Sequence, residues 1–238
     1  MGEQYNQAIA MHYSSYRPPL HGMILEYVLS SEEVFNKGLD VGCGTGYSAV
    51  ALAKYCLQVY GIDPSQSMLE EARPHEKITY QQGTGEDLLL PDKSVDVVTF
   101  AGSLFYAKSE FLIKELKRVC RNQALVIPYD FEVLLDEVLL QCGINVEKTR
   151  SDYDYEIDFS ERSDFIEIIT GNKQINLEVT TPDLAHILLS SLYCYEAFVE
   201  KYDVSDPFPV LVRELERTKE QQCLKVNIFF SKYQLNDG

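Results

Sequence analysis

Three glycines and two aspartates near the start of the chain have types and spacing suited to chemistry. In "LDVGCGTGYSAV", Gly42, Gly44 and Gly46 occupy alternate positions between a short apolar run and an apolar, helix-like segment. Glycine in such a turn lets backbone approach a ligand without Cβ interference, and the following helix start presents free N–H groups. The spacing is G-x-G-x-G and not the G-x-G-x-x-G that seats a diphosphate. Asp40 stands two residues before the first glycine. A carboxylate beside the turn disfavours a diphosphate and suits a cation. Asp63 ends the run "LQVYGID", 21 residues after Gly42, where a carboxylate can bind both hydroxyls of a ribose. A third acidic stretch, "TGEDLLLPDKSVDVV", follows later, where an adenine edge would lie.

The elements that must position these residues alternate. "KGLDV", "LQVYGID", "KITYQQG", "SVDVVTFAG" and "QALVIPYD" read as strands. "YSAVALAKY", "SQSMLEEAR" (with Ser65 as N-cap) and "SEFLIKELKRVC" read as helices between them. Such alternation predicts a parallel sheet covered on both faces, wound by right-handed crossovers, with ligands beyond the carboxyl ends of its strands. After Asp130 the rhythm changes. "FEVLLDEVLLQCG" predicts a helix closing at Gly143, "INVEK" a strand, and "TTPDLAHILLSSLYCYEAFVEKY" one long helix with a Thr-Pro-Asp start. "PFPVLVRELERTKEQQ" predicts another helix and "LKVNIFFSKYQL" a final strand. Residues 150–205 are too few for an independent core and read as an insertion over the sheet. The expectation is a single domain over residues 1–238, with a core of 32–149 and 206–238 and cap segments 1–31 and 150–205.

The 238 residues carry a net charge of −16, spread through the chain. A broad anionic field repels phosphate backbones, so nucleic acid is not an expected partner. No apolar run reaches the roughly 18 residues of a membrane span, so no membrane partner is expected. The N-terminal stretch lacks the basic start and apolar run of a secretory signal, which points to the cytoplasm. The six cysteines form no CxxC pair and no Cys/His cluster with zinc spacing, so no metal is expected and the thiols read as reduced and mostly buried.

Taken in order, "LDVGCGTGYSAVALA", "VYGIDPSQSMLEEAR" and "GEDLLLPDKSVDVVTFAGSLFYA" resemble the three motif blocks of the class I S-adenosylmethionine-dependent methyltransferases. The likeness runs from Gly38 to about Asp130. The flanking "YRPPLHGMIL", "SSLYCYEAF" and "NIFFSKYQL" resemble the small-molecule branch, with its trans-aconitate-type and ubiquinone-biosynthesis-like members. The resemblance implies an α/β fold: a doubly wound, mostly parallel, seven-stranded Rossmann-like sheet with an antiparallel last strand and a helical cap. It implies S-adenosylmethionine as cofactor and S-adenosylhomocysteine as product. Residue by residue, it implies that Asp40 holds the methionine ammonium, directly or through water. Gly42, Cys43, Gly44 and Gly46 wrap the amino-acid part and ribose. Asp63 takes the ribose hydroxyls, with Pro64 following it. Met68 packs on adenine, Gly85 and Glu86 lie by its edge, and Ala101 ends the fourth strand beside the methionine moiety. Thr84 stands where many relatives carry Asp, and "CRNQALV" replaces the usual Pro-Gly-Gly turn before the fifth strand.

Methyl transfer is a direct displacement, and a base is needed only where the nucleophile must lose a proton. Tyr106, Tyr129 and His12 are the candidates for such a group, and Arg17 in "SYRPP" is a candidate for a carboxylate of the cofactor or of the substrate. The acceptor expected is a small molecule and the assembly a monomer or homodimer. A protein methyltransferase and a catalytically silent cofactor-binding protein are the alternatives. A nicotinamide-dependent oxidoreductase is disfavoured by the glycine spacing and by Asp40.

Overall fold

The computed structural model describes residues 2–145, 152–217 and 221–236. In chain order these form α1 (Gly2–Ser15), α2 (Leu20–Val28), β1 (Phe35–Val41), α3 (Tyr47–Leu52), β2 (Cys56–Asp63), α4 (Gln66–Glu70) and β3 (Ile78–Gln82). There follow β4 (Val95–Ala101), α5 (Leu104–Ala107), α6 (Glu110–Val119), β5 (Cys120–Leu134), α7 (Asp136–Gln141) and β6 (Phe165–Thr180). The chain ends with α8 (Thr181–Leu189), α9 (Leu192–Tyr202), α10 (Phe208–Glu216) and β7 (Gln221–Leu235). The seven strands form one sheet in the order β3-β2-β1-β4-β5-β7-β6. β1 pairs in parallel with β2 and β4, β2 with β3, and β4 with β5. The last strands are antiparallel, which gives the mostly parallel, doubly wound architecture expected.

The chain divides into two compact units. The sheet unit comprises residues 19–132, 152–173 and 228–238; the helical unit comprises 1–18, 133–151 and 174–227. These boundaries differ from the expected core and cap: 19–31 and 152–173 go with the sheet, and 133–145 and 206–217 with the helices.

In the sheet unit, apolar side chains at alternating or continuous strand positions meet one stripe of α6. Leu39, Val41, Val98, Phe100 and Val126 join Leu112, Ile113, Leu116 and Val119 in one buried cluster, closed by Phe159, Phe165 and Tyr233. α6 begins where expected: Ser109 Oγ accepts from Leu112 N–H at 3.1 Å. In the helical unit, α8 packs against α1, α9 and α10. Its N-terminus is capped by Thr180 Oγ1, which accepts from Asp183 N–H, with proline in the first turn.

Three expectations are corrected. The helix foreseen from Phe131 is strand as far as Leu134, and only Asp136–Gln141 is helical, ending before Gly143 at φ +68°. The single long helix over 180–202 is broken at Ser190–Ser191 into α8 and α9, because Ser191 is extended at φ −108°, ψ 133°. The insertion hides a 16-residue strand, β6. The expected strand "INVEK" falls mostly outside the described residues.

Candidate functional site

β1 delivers the chain at Val41 to a turn in which all three glycines have left-handed backbone: Gly42 at φ +73°, Gly44 at +51° and Gly46 at +83°. The turn is fastened to β2, since the Gly42 and Cys43 N–H groups both donate to the Ile62 carbonyl, at 2.7 and 3.0 Å. The glycines differ in what surrounds them. A Cβ on Gly46 would stand 2.2 Å from Tyr80 Oη, so that glycine is required by packing as well as by φ. A Cβ on Gly44 would meet nothing within 4 Å. The open side of the turn is therefore at Gly44.

Asp63 closes β2 against this turn. Its Oδ2 accepts from Gly44 N–H and its Oδ1 from Ser65 N–H, each at 2.8 Å. A carboxylate has about four acceptor positions, so two bonds leave capacity on each oxygen for hydroxyl donors. Asp40 is placed differently. It is fully buried, with Oδ2 accepting from Ser48 Oγ at 2.5 Å and Oδ1 from Thr99 Oγ1 at 2.7 Å. Burial pushes its carboxyl up to about 6; the two hydroxyl bonds pull the other way, and the Asp63 charge adds to the rise.

Beyond the carboxyl ends of β1, β2 and β4 lies a cavity of about 420 Å³. Its walls include Gly42, Asp63, Pro64, Gly85 and Ala101, five of the residues expected from sequence, together with the candidate Tyr106. Gly83, Thr84, Gly102, Ser103 and Ala107 complete much of the rest. Gly102 and Gly83 were not singled out by motif; their signal was only a glycine just after a strand end. Asp40, Cys43, Gly44, Gly46, Met68 and Glu86 lie outside those walls. Cys43 is buried, which pushes its thiol well up. Met68 is 46% exposed on α4, and Glu86 is exposed. Ser65 caps α4 as expected, accepting from Met68 N–H at 3.4 Å.

The catalytic candidates separate. Tyr106 is 78% exposed at the cavity rim. Tyr129 is buried and shares a 3.1 Å hydrogen bond with His21 Nδ1; burial, with the Asp40 and Asp130 charges, holds its phenol far above the ordinary value. His12 belongs to the helical unit, where it is buried with Nδ1 2.9 Å from His186 Nδ1. Arg17 also belongs to the helical unit. One contact near Gly102 was not readable from sequence: Tyr153 Oη lies 2.5 Å from Asp130 Oδ2 and 2.9 Å from the Gly102 carbonyl oxygen. Tyr153 sits in an acidic, aperiodic stretch with no readable motif. Among the described residues no cluster of His, Cys, Asp and Glu could hold a metal ion, and no helix is long and apolar enough to cross a membrane.

Comparison with known proteins bears on this arrangement directly. Residues 39–127, which carry the glycine turn, Asp63 and the cavity walls, match the family model described as "Methyltransferase domain". The chain is 33% identical over 103 residues to an uncharacterised methyltransferase of Bacillus subtilis, YcgJ, a match covering 41% of this chain and 38% of that protein. It is 31% identical over 120 residues to a Saccharomyces cerevisiae protein designated a probable S-adenosylmethionine-dependent methyltransferase, covering 47% and 41%. Residues 39–127 are therefore similar to the methyltransferase domain of S-adenosylmethionine-dependent enzymes. The matched region spans less than half the length of these curated relatives. The fold match is wider than the sequence match. A solved structure from Anaeromyxobacter dehalogenans superposes with a TM-score of 0.64 at 19% identity, over 93% of this chain and 98% of that one. The YcgJ structure superposes at 0.52 with 18% identity, over 92% and 98%.

The cavity fits S-adenosylmethionine on its own geometry. Its volume lies within the range of about 300–1,000 Å³ usual for small-ligand pockets. Gly44 leaves open space at the turn, and Asp63 offers an anionic acceptor where a ribose would need one.

Proposed function

We propose that this methyltransferase transfers a methyl group from S-adenosylmethionine to a small-molecule acceptor by direct displacement. The observation that carries this reading is the cavity at the strand ends, with Asp63 in its wall and the open Gly44 turn beside it. In this reading Asp63 accepts from the ribose hydroxyls while holding the turn through Gly44 N–H. Gly42, Gly44 and Ser103 surround the amino-acid part. Ala101 and Gly102 flank the sulfur, and Gly83 to Gly85 border the base. Met68 and Glu86 serve the outer face of the adenine. Asp40 acts through its charge from beneath the turn, because it is fully buried and outside the cavity walls. Gly46 keeps the turn's shape against Tyr80. Cys43 and Pro64 support the same ligand from the turn and from the end of β2.

The cofactor supplies a methyl group on a sulfonium, so the protein's work is to align the acceptor and exclude water. The acceptor is a small molecule, nucleic acid and membrane are not partners, and the protein works in the cytoplasm as a monomer or homodimer. The free cysteines Cys43, Cys56, Cys120, Cys142, Cys194 and Cys223 suit a reducing compartment. Calorimetric titration with S-adenosylhomocysteine tests the reading. One site is expected, weakened at least tenfold by Asp63→Asn, with no binding of NADH. Absence of binding to folded protein would overturn it.

A further inference from the structure

The sheet unit holds a second cavity, of about 290 Å³, walled by Tyr155 and Phe229 with Glu156, Asp158, Asn172 and Ser231 among its polar groups. It adjoins the first. Ala101 of the cofactor cavity pairs in register with Tyr129 of the second, and Gly102 N–H donates to the Tyr129 carbonyl at 2.8 Å. A small void between them, about 10 Å³, is bounded by Gly102 from the first cavity, by Tyr155 from the second, and by Asp130. The joint is closed by the Tyr153 hydroxyl, which spans Asp130 and the Gly102 carbonyl.

We propose that this second cavity receives the methyl acceptor and that the acceptor is a small amine. The inference rests on the cofactor reading above. The walls select the ligand's charge. They contain two carboxylates and no Lys, Arg or His. Glu156 Oε1 accepts from the Asn172 amide at 2.9 Å, and Asp158 takes the Tyr233 hydroxyl and Ser160; each carboxylate retains acceptor positions after these bonds. Lys108, which is not part of these walls, is bound by its ammonium to the Asp158 backbone carbonyl at 2.6 Å. Tyr155 and Phe229 stack at 5.7 Å between centroids, giving ring faces to a cation and an apolar wall to its carbon skeleton. An anionic acceptor would meet only like charge here. In the transfer, the amine lone pair forms the N–C bond as the C–S pair leaves on sulfur. An alkylammonium and the sulfonium thus become a methylated ammonium and a neutral thioether, with one proton released to water.

The test uses the whole chain in two stages. S-adenosylhomocysteine is titrated first, and the saturated protein is then titrated with phenethylamine or with phenylacetate, its anionic counterpart. Phenethylamine is expected to bind at least tenfold more tightly than phenylacetate. Glu156→Lys, at an exposed position, should weaken phenethylamine at least tenfold and leave S-adenosylhomocysteine unchanged, and Tyr155→Leu should weaken it less. Saturation by S-adenosylhomocysteine with no amine binding, with equal or better phenylacetate binding, or with unaltered amine affinity in both variants overturns the acceptor cavity alone. Failure of S-adenosylhomocysteine to bind overturns the cofactor reading and the acceptor role together.

Discussion

Asp40 in the sheet unit and His12 in the helical unit are both buried polar side chains, at 0% and 1% exposure, in unlike surroundings. Asp40 has a hydroxyl on each oxygen, from Ser48 and Thr99. His12 bonds through Nδ1 to His186 and lies against the rings of Phe208 and Tyr195, but its Nε2 is buried with no partner. Asp40 is thus fully bonded near the ligand cavity, although Gln81 Oε1 on β3 of the same unit is buried without a hydrogen-bond partner. The helical half leaves one group wanting a proton acceptor or donor that its packing withholds. Where polar groups are fully held, a substitution should act through the ligand or through backbone strain. Where one is not, pH should act directly on stability.

The largest effect is expected at the turn. Gly46→Ala must place a Cβ at Tyr80 Oη and hold φ +83°. Left-handed backbone costs about 1–2 kcal/mol and overpacking about 1–3. A loss of roughly 2–4 kcal/mol in chemical denaturation is the expected result. Gly44→Ala, with only the backbone term, should lose far less stability and show its effect in S-adenosylhomocysteine affinity.

Next comes Asp63→Ala. It removes the acceptor for Gly44 and Ser65 N–H, so it should cost about 1–3 kcal/mol of stability besides weakening S-adenosylhomocysteine. Calorimetry and denaturation on the same sample separate the two losses. Stability equal to wild type would show that the turn does not depend on Asp63.

The pH response sets the two regions against each other. His12 is held below its ordinary value by burial and then by His186, with Asp206 opposing; His186 is lowered by burial, with Asp183 opposing. The unfolded chain therefore binds more protons, and the helical unit loses stability as pH falls below about 6.5. Asp40 has the opposite sign. Its folded value of about 6 lies above the unfolded one, so its contribution is full below the unfolded value and is lost as pH rises through 6. His12→Phe should flatten the melting temperature between pH 7 and pH 5. Asp40→Asn should raise it at pH 7.5, relative to wild type, by more than at pH 4.5. Melting curves of the two variants across pH 4.5–8 check both signs.

The smallest effect is expected at Met68→Ala. The side chain is about half exposed, so stability should change by less than about 0.5 kcal/mol. A fall in S-adenosylhomocysteine affinity without change in melting temperature would mark contact with the adenine. Unchanged affinity would remove Met68 from the site.

The first half of the chain was legible because local rules and tertiary demands agree there. Alternating apolar runs, the cap at Ser65 and the glycine turn all point to one sheet, and the structure places them so. Asp63 could be located from spacing alone; that it also fastens the turn could not, since that depends on where Gly44 N–H points. The enclosure of Asp40 rests on Ser48 and Thr99, which are 8 and 59 residues distant. No spacing rule joins three such residues. β6 was missed because its exposed middle, from Ile166 to Thr170, shows no alternation between buried and exposed positions. Tyr153 and Asp130 meet across 23 residues of chain without a motif to announce it.

The strand order has a consequence in time. β7 lies between β5 and β6, yet the ribosome makes it after both. β5 can join β4 as soon as it emerges. β6 has no sheet neighbour until β7 is complete at Leu235, and it carries Ile166, Ile168 and Ile169 on exposed positions. During that interval an apolar strand waits with its backbone groups unpaired, the condition in which chains associate with one another. Glu167 and Lys173 place charges along it, residues of the kind that oppose pairing between such strands.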